Sequence, residues 1–162
     1  MNPCPCGYYG SNEKECKCHP EQIKKYINKI SGPLLDRIDL HIETTKVEYK
    51  KLESTTKEEP SKEIQKRVNK ARNIQNERYL KDKIFCNAQM DSKLIQKHCK
   101  LDLKSKTTLE KAFNNLGLSA RAYTRILKVA RTIADLEGAE NIKINHISEA
   151  IQYRTLDRKY WK

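Results

Sequence analysis

What the sequence lacks narrows the field. No apolar run approaches the roughly 18 residues of a membrane span, so a helical transmembrane protein is excluded. No charged-then-apolar leader precedes a cleavage site, which argues against a secreted precursor. Five glycines and five prolines in 162 residues exclude collagen-like and glycine-rich chains. Catalytic signatures are missing as well. None of Gly7, Gly10, Gly32, Gly117 and Gly138 precedes Lys-Ser or Lys-Thr, so there is no Walker A phosphate loop. No Asp-Glu dipeptide closes an apolar strand, so Walker B is absent. His19, His41, His98 and His146 form no H-E-x-x-H, and no G-x-S-x-G elbow occurs. Self-contained catalysis has no visible machinery.

What is present is a basic, polar chain long enough for one domain or one and a half small ones. Hydrophobic residues make up 37% and charged residues 33%, against about 45–50% and about 25% in an average globular chain. That supplies a core, but not a large two-sheet enzyme. Thirty-three Lys and Arg oppose 21 Asp and Glu, a formal charge of +12 with a pI near 9.4. Such an excess suits a polyanionic partner: nucleic acid, nucleotide phosphates or an acidic protein. A lysine-rich solvated surface is the plain alternative.

The six cysteines are unevenly placed. Cys4, Cys6, Cys16 and Cys18 read C-x-C-x9-C-x-C, while Cys86 and Cys99 stand far away and are expected to act as small buried hydrophobes. Two close pairs across a polar loop with Gly7, Gly10 and Asn12 can converge four thiolates on one ion, and Zn²⁺ favours that tetrahedral sulfur set. The spacing is tighter than the usual C-x2-4-C. His19 is a substitute ligand, and two disulfides or free thiols are the competing arrangements. A reducing cytoplasm favours metal over disulfide. With four protein sulfurs and no open position, the metal's job would be to pin a loop.

Along the chain, residues 19–31 read as a helix, with Pro20 in its first turn, Ile23, Ile27 and Ile30 at helical spacing, and Gly32-Pro33 ending it. Ile38, Leu40 and Ile42 alternate with Asp39, His41 and Glu43, the pattern of a short strand. Residues 44–60 are polar and without period, a linker. A long helix from Ser61 to about Tyr79 carries Ile64, Val68, Ala71 and Ile74 as its inner stripe. Helices follow near 91–99 and 103–116, the latter stopped by Gly117. Another, capped by Ser119, ends at Gly138, and a last one covers about 145–154. The expected fold is mainly α: a helix, one strand and a cysteine-rich loop, then a bundle of four or five helices. A lone strand forms no sheet, which hints at a piece of something larger.

Two arginines invite chemistry. In SGPLLDRID, Arg37 sits at the rim where the strand starts, with Asp36 and Asp39 holding its neighbours. A guanidinium so placed neutralises charge on a transferring γ-phosphoryl group, unless it is merely a surface arginine in a local Asp–Arg pair. In the helix after Ser119, Tyr123, Ile126, Leu127, Ala130, Ile133 and Ala134 cluster on one face, and Arg121, Arg125 and Lys128 line the opposite one. Arg121 lies in the first turn, where free N–H groups favour an anion. A solvated basic face is the alternative for all three.

These pieces together resemble a known family. NPCPCGYYG, ECKC, ISGPLLDRIDLHIE, NAQM, LGLSARAYTRILKVARTIADLEG and EAIQYRTLDR, in that order, resemble the C-terminal part of the ComM/YifB family. These are AAA+ ATPases related to the magnesium-chelatase ATPase subunit and more distantly to MCM helicases. The resemblance spans nearly the whole chain, with residues 44–60 its least constrained stretch. It implies the end of an AAA+ α/β core over residues 1–45, a linker over 46–60 and a helical lid over 61–162. Asn2 then matches the sensor-1 residue, Arg37 the arginine finger acting on ATP in a neighbouring subunit, and Arg121 sensor 2. The cysteine cluster is a feature that the magnesium-chelatase subunit lacks, which speaks against chelatase activity. ATP and Mg²⁺ would be bound by an upstream half carrying the Walker motifs, in a homo-oligomeric, hexameric, cytoplasmic ring acting on DNA during branch migration and natural transformation. The alternative from another class is a stand-alone, zinc-pinned basic helical module that binds DNA without nucleotide.

Overall fold

The computed structural model describes residues 1–11, 14–44, 47, 49, 53 and 58–154. The expected linker lies largely outside them, as does the end of the expected lid after Arg154. Seven α-helices and one 3-10 turn are present among the described residues: α1 (Pro20–Ile27), α2 (Gly32–Leu35), α3 (Ser61–Arg78), the turn Asn87–Gln89, α4 (Ser92–His98), α5 (Leu103–Leu116), α6 (Ala120–Glu137) and α7 (Ile144–Gln152). No helix among the described residues is long and apolar enough to cross a membrane.

The helix ends are fixed by the chemistry expected of them. The Ser119 hydroxyl accepts from the Ala122 N–H at 3.1 Å, and Asp91 and Asp102 cap α4 and α5 in the same way, from Leu94 at 2.8 Å and Ser105 at 2.7 Å. Gly117 and Gly138 close α5 and α6 with φ of 49° and 77°, a region that glycine enters without strain. At the other end of the chain, Gly32-Pro33 does not terminate α1. It opens the short α2 instead, because proline without a donor N–H is tolerated in a first helical turn.

The expected strand over residues 38–42 does not form. Ile38, Leu40 and Ile42 are exposed; the Ile38 N–H closes the turn after α2 on the Leu35 carbonyl at 3.0 Å, and the His41 N–H donates to the Tyr153 carbonyl at 2.9 Å. A strand needs a ladder partner, and none is supplied among the described residues; the isolated parallel bridge Leu101–Ile142 is elsewhere.

The core is built around α6. It packs on α7, α3, α4 and the 3-10 turn, while α5 packs on α7. Ile126, Leu127, Ala130 and Ala134 of α6 join Tyr79, Met90, Ile95, Cys99, Leu109, Ile142, Ile147 and Ala150 in one buried cluster. Three expected inward positions point out. Ile64 and Val68 are 43% and 45% exposed. Lys70 lies beside Gly138, where α6 stops, so the earlier turns of α3 run past the end of the bundle. Tyr123 is 39% exposed and meets Phe113 edge-on at the rim. Cys99 is buried as expected, its thiol pushed up to about 11 by desolvation, whereas Cys86 is half-buried.

Within this apolar core lies a polar centre. Asp135, fully buried, accepts from Arg78 Nη1 at 2.8 Å and Arg131 Nε at 3.1 Å. Asn87 Nδ2 donates to it at 2.8 Å and to Thr132 at 2.9 Å. The Asn87 oxygen accepts from Tyr79 at 2.7 Å and Arg78 at 3.1 Å, and its N–H donates to Gln75 at 3.1 Å. Arg131 also donates to the carbonyls of Glu140 and Ala139 at 2.7 and 2.6 Å, joining the loop after α6 to the helix itself.

Removing one partner of a buried ion pair typically costs about 3–5 kcal/mol. Asp135→Ala, which leaves two guanidinium groups facing each other, should lose that much stability in urea unfolding, and a loss under about 1 kcal/mol would contradict the account. His98 supplies a pH test. Burial, reinforced by the Lys97 and Arg78 charges, holds its imidazole below the ordinary 6.5. The unfolded chain therefore binds this proton first, and stability falls as pH drops from 6.5 through the lower folded value. In His98→Gln that part of the slope should disappear when unfolding is followed across the same pH range.

Candidate metal centre and arginine face

Four sulfurs converge near the N-terminus. Cys4 Sγ lies 3.4 Å from Cys6 Sγ and 3.7 Å from Cys16 Sγ, Cys6 and Cys16 are 3.6 Å apart, and all four lie within 4.8 Å of one another. Sulfur ligands about 2.3 Å from a tetrahedral centre stand about 3.8 Å apart, so the cluster is already close to the shape of such a site. All six cysteines are free, so the disulfide arrangement is not formed. His19 is outside the cluster; it precedes α1, and its N–H donates to Gln22 Oε1 at 3.1 Å. The loop turns on Gly7 and Gly10, at φ 84° and 78°, and the Tyr9 N–H donates to Cys4 Sγ at 3.3 Å.

The sulfurs share protons unevenly. A hydrogen bond from the Tyr8 backbone, with help from the neighbouring thiols, lowers Cys6 to about 6. Cys16 receives a hydrogen bond from the Cys18 backbone, yet desolvation and the facing sulfurs push it up to about 12. One thiol that ionises readily, facing Cys16 and Cys18 whose thiols are held up, is a donor set in which a cation replaces protons. These four cysteines can hold a metal ion such as zinc.

The arginines sit on a second site built from distant parts of the chain. Arg37 lies exposed on the turn after α2, and Arg121 exposed in the first turn of α6. Neither guanidinium has a hydrogen-bond or ion-pair partner among the described residues. The two aspartates beside Arg37 pair elsewhere. Asp36 accepts from the Ser119 hydroxyl at 3.1 Å and from Arg154 Nη2 at 3.4 Å. Asp39 pairs with Arg125, and Arg154 also donates to the Ile38 carbonyl. So the local Asp–Arg pair that would have made Arg37 an ordinary surface residue is not made. Of the basic row on α6, only Arg121 stays uncommitted: Arg125 is held by Asp39, and Lys128 donates to the Ala88 carbonyl at 2.9 Å.

Asn2 is exposed, its amide beside Gly7, and no hydrogen bond or ion pair joins it to Arg37 or Arg121 among the described residues. Sequence reasoning missed Arg154, 1% exposed, and Ser119 as a partner of Asp36 as well as a helix cap. Residues 83 and 118 positions apart in the chain meet there, a distance over which periodicity is silent. Elsewhere, a cavity of about 450 Å³ is lined by Arg78, Lys97, His98, Lys100, Arg131 and Glu140 among others. Its two guanidinium groups are already committed to Asp135 and backbone carbonyls.

The family described as "Magnesium chelatase, subunit ChlI C-terminal" matches residues 58–154, and that described as "Magnesium chelatase, subunit ChlI" matches residues 1–52. The competence protein ComM of Haemophilus influenzae is 46% identical over 159 residues, covering 98% of this chain and 30% of that protein. The YifB proteins of Salmonella typhimurium and Escherichia coli are 43% and 42% identical over the same length, with the same coverage. The chain thus spans about 30% of the length of the curated relatives it matches. It belongs to the magnesium-chelatase ChlI-like ComM/YifB family, of which it carries the C-terminal part.

Proposed function

We propose that this chain is the sensor-and-lid portion of an AAA+ ATPase of the ComM type, in which Arg37 and Arg121 meet the phosphates of ATP. The observation that carries this reading is that both arginines are exposed and uncommitted while the charged groups around them are engaged within the protein. In the longer protein, ATP and Mg²⁺ are held by an upstream half that supplies the Walker motifs. The Arg37 guanidinium, acting as the finger, offsets charge on the γ-phosphoryl group of ATP in a neighbouring subunit. Arg121 adds its charge to the N-terminal dipole of α6 and holds phosphate as sensor 2. Asn2, as sensor 1, orients the attacking water or the γ-phosphate.

Residues 1–45 close the AAA+ core, 46–60 link, and 61–162 form the lid. The exposed apolar row Ile38, Leu40 and Ile42 supports this division, since it suits a strand completed by a sheet of the upstream core. The assembly is a cytoplasmic homo-hexameric ring that remodels DNA, as in branch migration and natural transformation, and the +12 charge suits a polyanion. Cys4, Cys6, Cys16 and Cys18 hold structural Zn²⁺, which pins the N-terminal loop.

In the longer protein, Arg37→Ala should lower ATP turnover by about 10³-fold or more with ATP binding nearly intact, whereas Arg121→Ala should weaken binding as well. Unchanged turnover in Arg37→Ala would remove it from the mechanism. A chain that ignores ATP but binds duplex DNA with a steep salt slope would instead favour the stand-alone module. For the metal, protein purified without chelator should hold about one zinc per chain, and Cys16→Ser should lose it while the bundle's melting is unchanged. Affinity should fall from about pH 8 to about pH 5, because lower pH returns protons to the thiolates that zinc displaces. Absence of zinc by elemental analysis would dismiss the site.

A further inference from the structure

The turn bearing Arg37 is not free to move by itself. Residues on both sides of Arg37 reach across to the bundle. Asp36 accepts hydrogen bonds from the Ser119 hydroxyl at 3.1 Å and from a guanidinium N–H of Arg154 at 3.4 Å. Ser119 is the N-cap of α6, two residues before Arg121, and the same hydroxyl accepts from Ala122 N–H at 3.1 Å. Asp39 pairs with Arg125, which stands one helical turn beyond Arg121 on the same face. The Ile38 carbonyl accepts from Arg154, and His41 N–H donates to the Tyr153 carbonyl at 2.9 Å. Arg37 is therefore bracketed by ties to the first two turns of α6 and the end of α7, while its own guanidinium has no partner among the described residues.

We propose that Asp36 and Asp39 are positioning residues that lock the Arg37 turn to the start of α6, so that Arg37 and Arg121 are presented to phosphate as one rigid pair. This rests on the functional reading above. The carboxylates touch no nucleotide; they act through Arg37. Two independent ties, one to the cap and one a turn further along, fix direction as well as distance, which a single contact would not. A lid movement then carries Arg37 with it, and a shift of the Arg37 turn is felt at the helix end that holds Arg121.

Two measurements separate this proposal from the reading beneath it. The first uses the 162-residue chain alone and follows amide hydrogen exchange at residues 37–41. Asp39→Arg and Arg125→Asp should each speed exchange there without changing the melting of the bundle, and the double variant, with the charges swapped, should restore protection. The second uses ATP turnover by the longer protein. Each single reversal should lower kcat by about 10²-fold, the effect of displacing a catalytic group by about 1 Å, with KM for ATP little changed. The swapped double variant should recover most of the rate. Asp36→Ala should behave like the single reversals. Asp36→Asn, which keeps an acceptor for Ser119, should retain more activity, a rescue that would not follow if Asp36 merely filled space. Unaltered exchange in both single reversals would overturn the tie. Faster exchange with unchanged kcat would overturn its role in positioning Arg37. If Arg37→Ala itself leaves turnover unchanged, the functional reading falls and the positioning role falls with it. If Arg37→Ala is inactive but the swap restores neither protection nor rate, only the present proposal is lost.

Discussion

A single buried carboxylate organises the helical bundle. Asp135 lies beneath the surface with guanidinium groups from α3 and α6 and the side-chain amide of Asn87 aimed at it. An ionised group stays in such a place only when its partners are fixed, so the position of α3, the 3-10 turn and α6 relative to one another follows from satisfying that one charge. Arg131 extends the constraint to the loop after α6 through two carbonyls. The apolar cluster supplies the burial that drives collapse; the polar centre selects which of many collapsed packings is adopted. Two guanidinium groups and one carboxylate leave a positive remainder, which Arg131 sets against the carbonyl oxygens of Ala139 and Glu140 just past the end of α6.

Much of this was legible from residue pattern, and the failures have physical reasons. The helices from Ser119 to Glu137 and from Leu103 to Leu116 could be drawn from caps, period and closing glycines, because those signals are local. The polar centre could not. Arg131 and Asp135, four residues apart on α6, have a spacing that any surface helical ion pair shares, and the sequence analysis singled out neither; the long-range position of Arg78 and Asn87 makes them interior. Ile64 and Val68 carry the right period and stay outside, since periodicity reports which face is apolar and not how far the neighbouring helix extends. The alternation at Ile38, Leu40 and Ile42 is a genuine strand pattern whose ladder is not among the described residues. Of the candidate site, the residue types were readable while their partners were not: nothing near Asp36 in the chain points to Ser119.

The two sites do different physical work. Three of the four sulfurs lie at spacings near those of a tetrahedral metal site and the fourth within 4.8 Å of them, with one acidic thiol to begin the exchange of protons for a cation. Their chemistry ends in shape: a closed sulfur set offers no open position for a substrate. The arginine face is the reverse. It is open, its two guanidinium groups have no ion-pair partner among the described residues, and Asp36 and Asp39 tie the turn bearing Arg37 to α6.

The disposition of α6 has a mechanical corollary. At 1.5 Å per residue, about 21 Å of unbroken helix separates Arg121 from Asp135. One end is anchored in the interior by ions that resist displacement; the other is tied through Ser119 and Arg125 to the turn that bears Arg37. Such a rod is a lever with its fulcrum at Asp135: a tilt of about 5° there swings the Arg121 end through about 2 Å, given that length. Small rearrangements around the buried carboxylate are thereby magnified at the far tip, and the ties to Asp36 and Asp39 pass them on to the turn that carries Arg37.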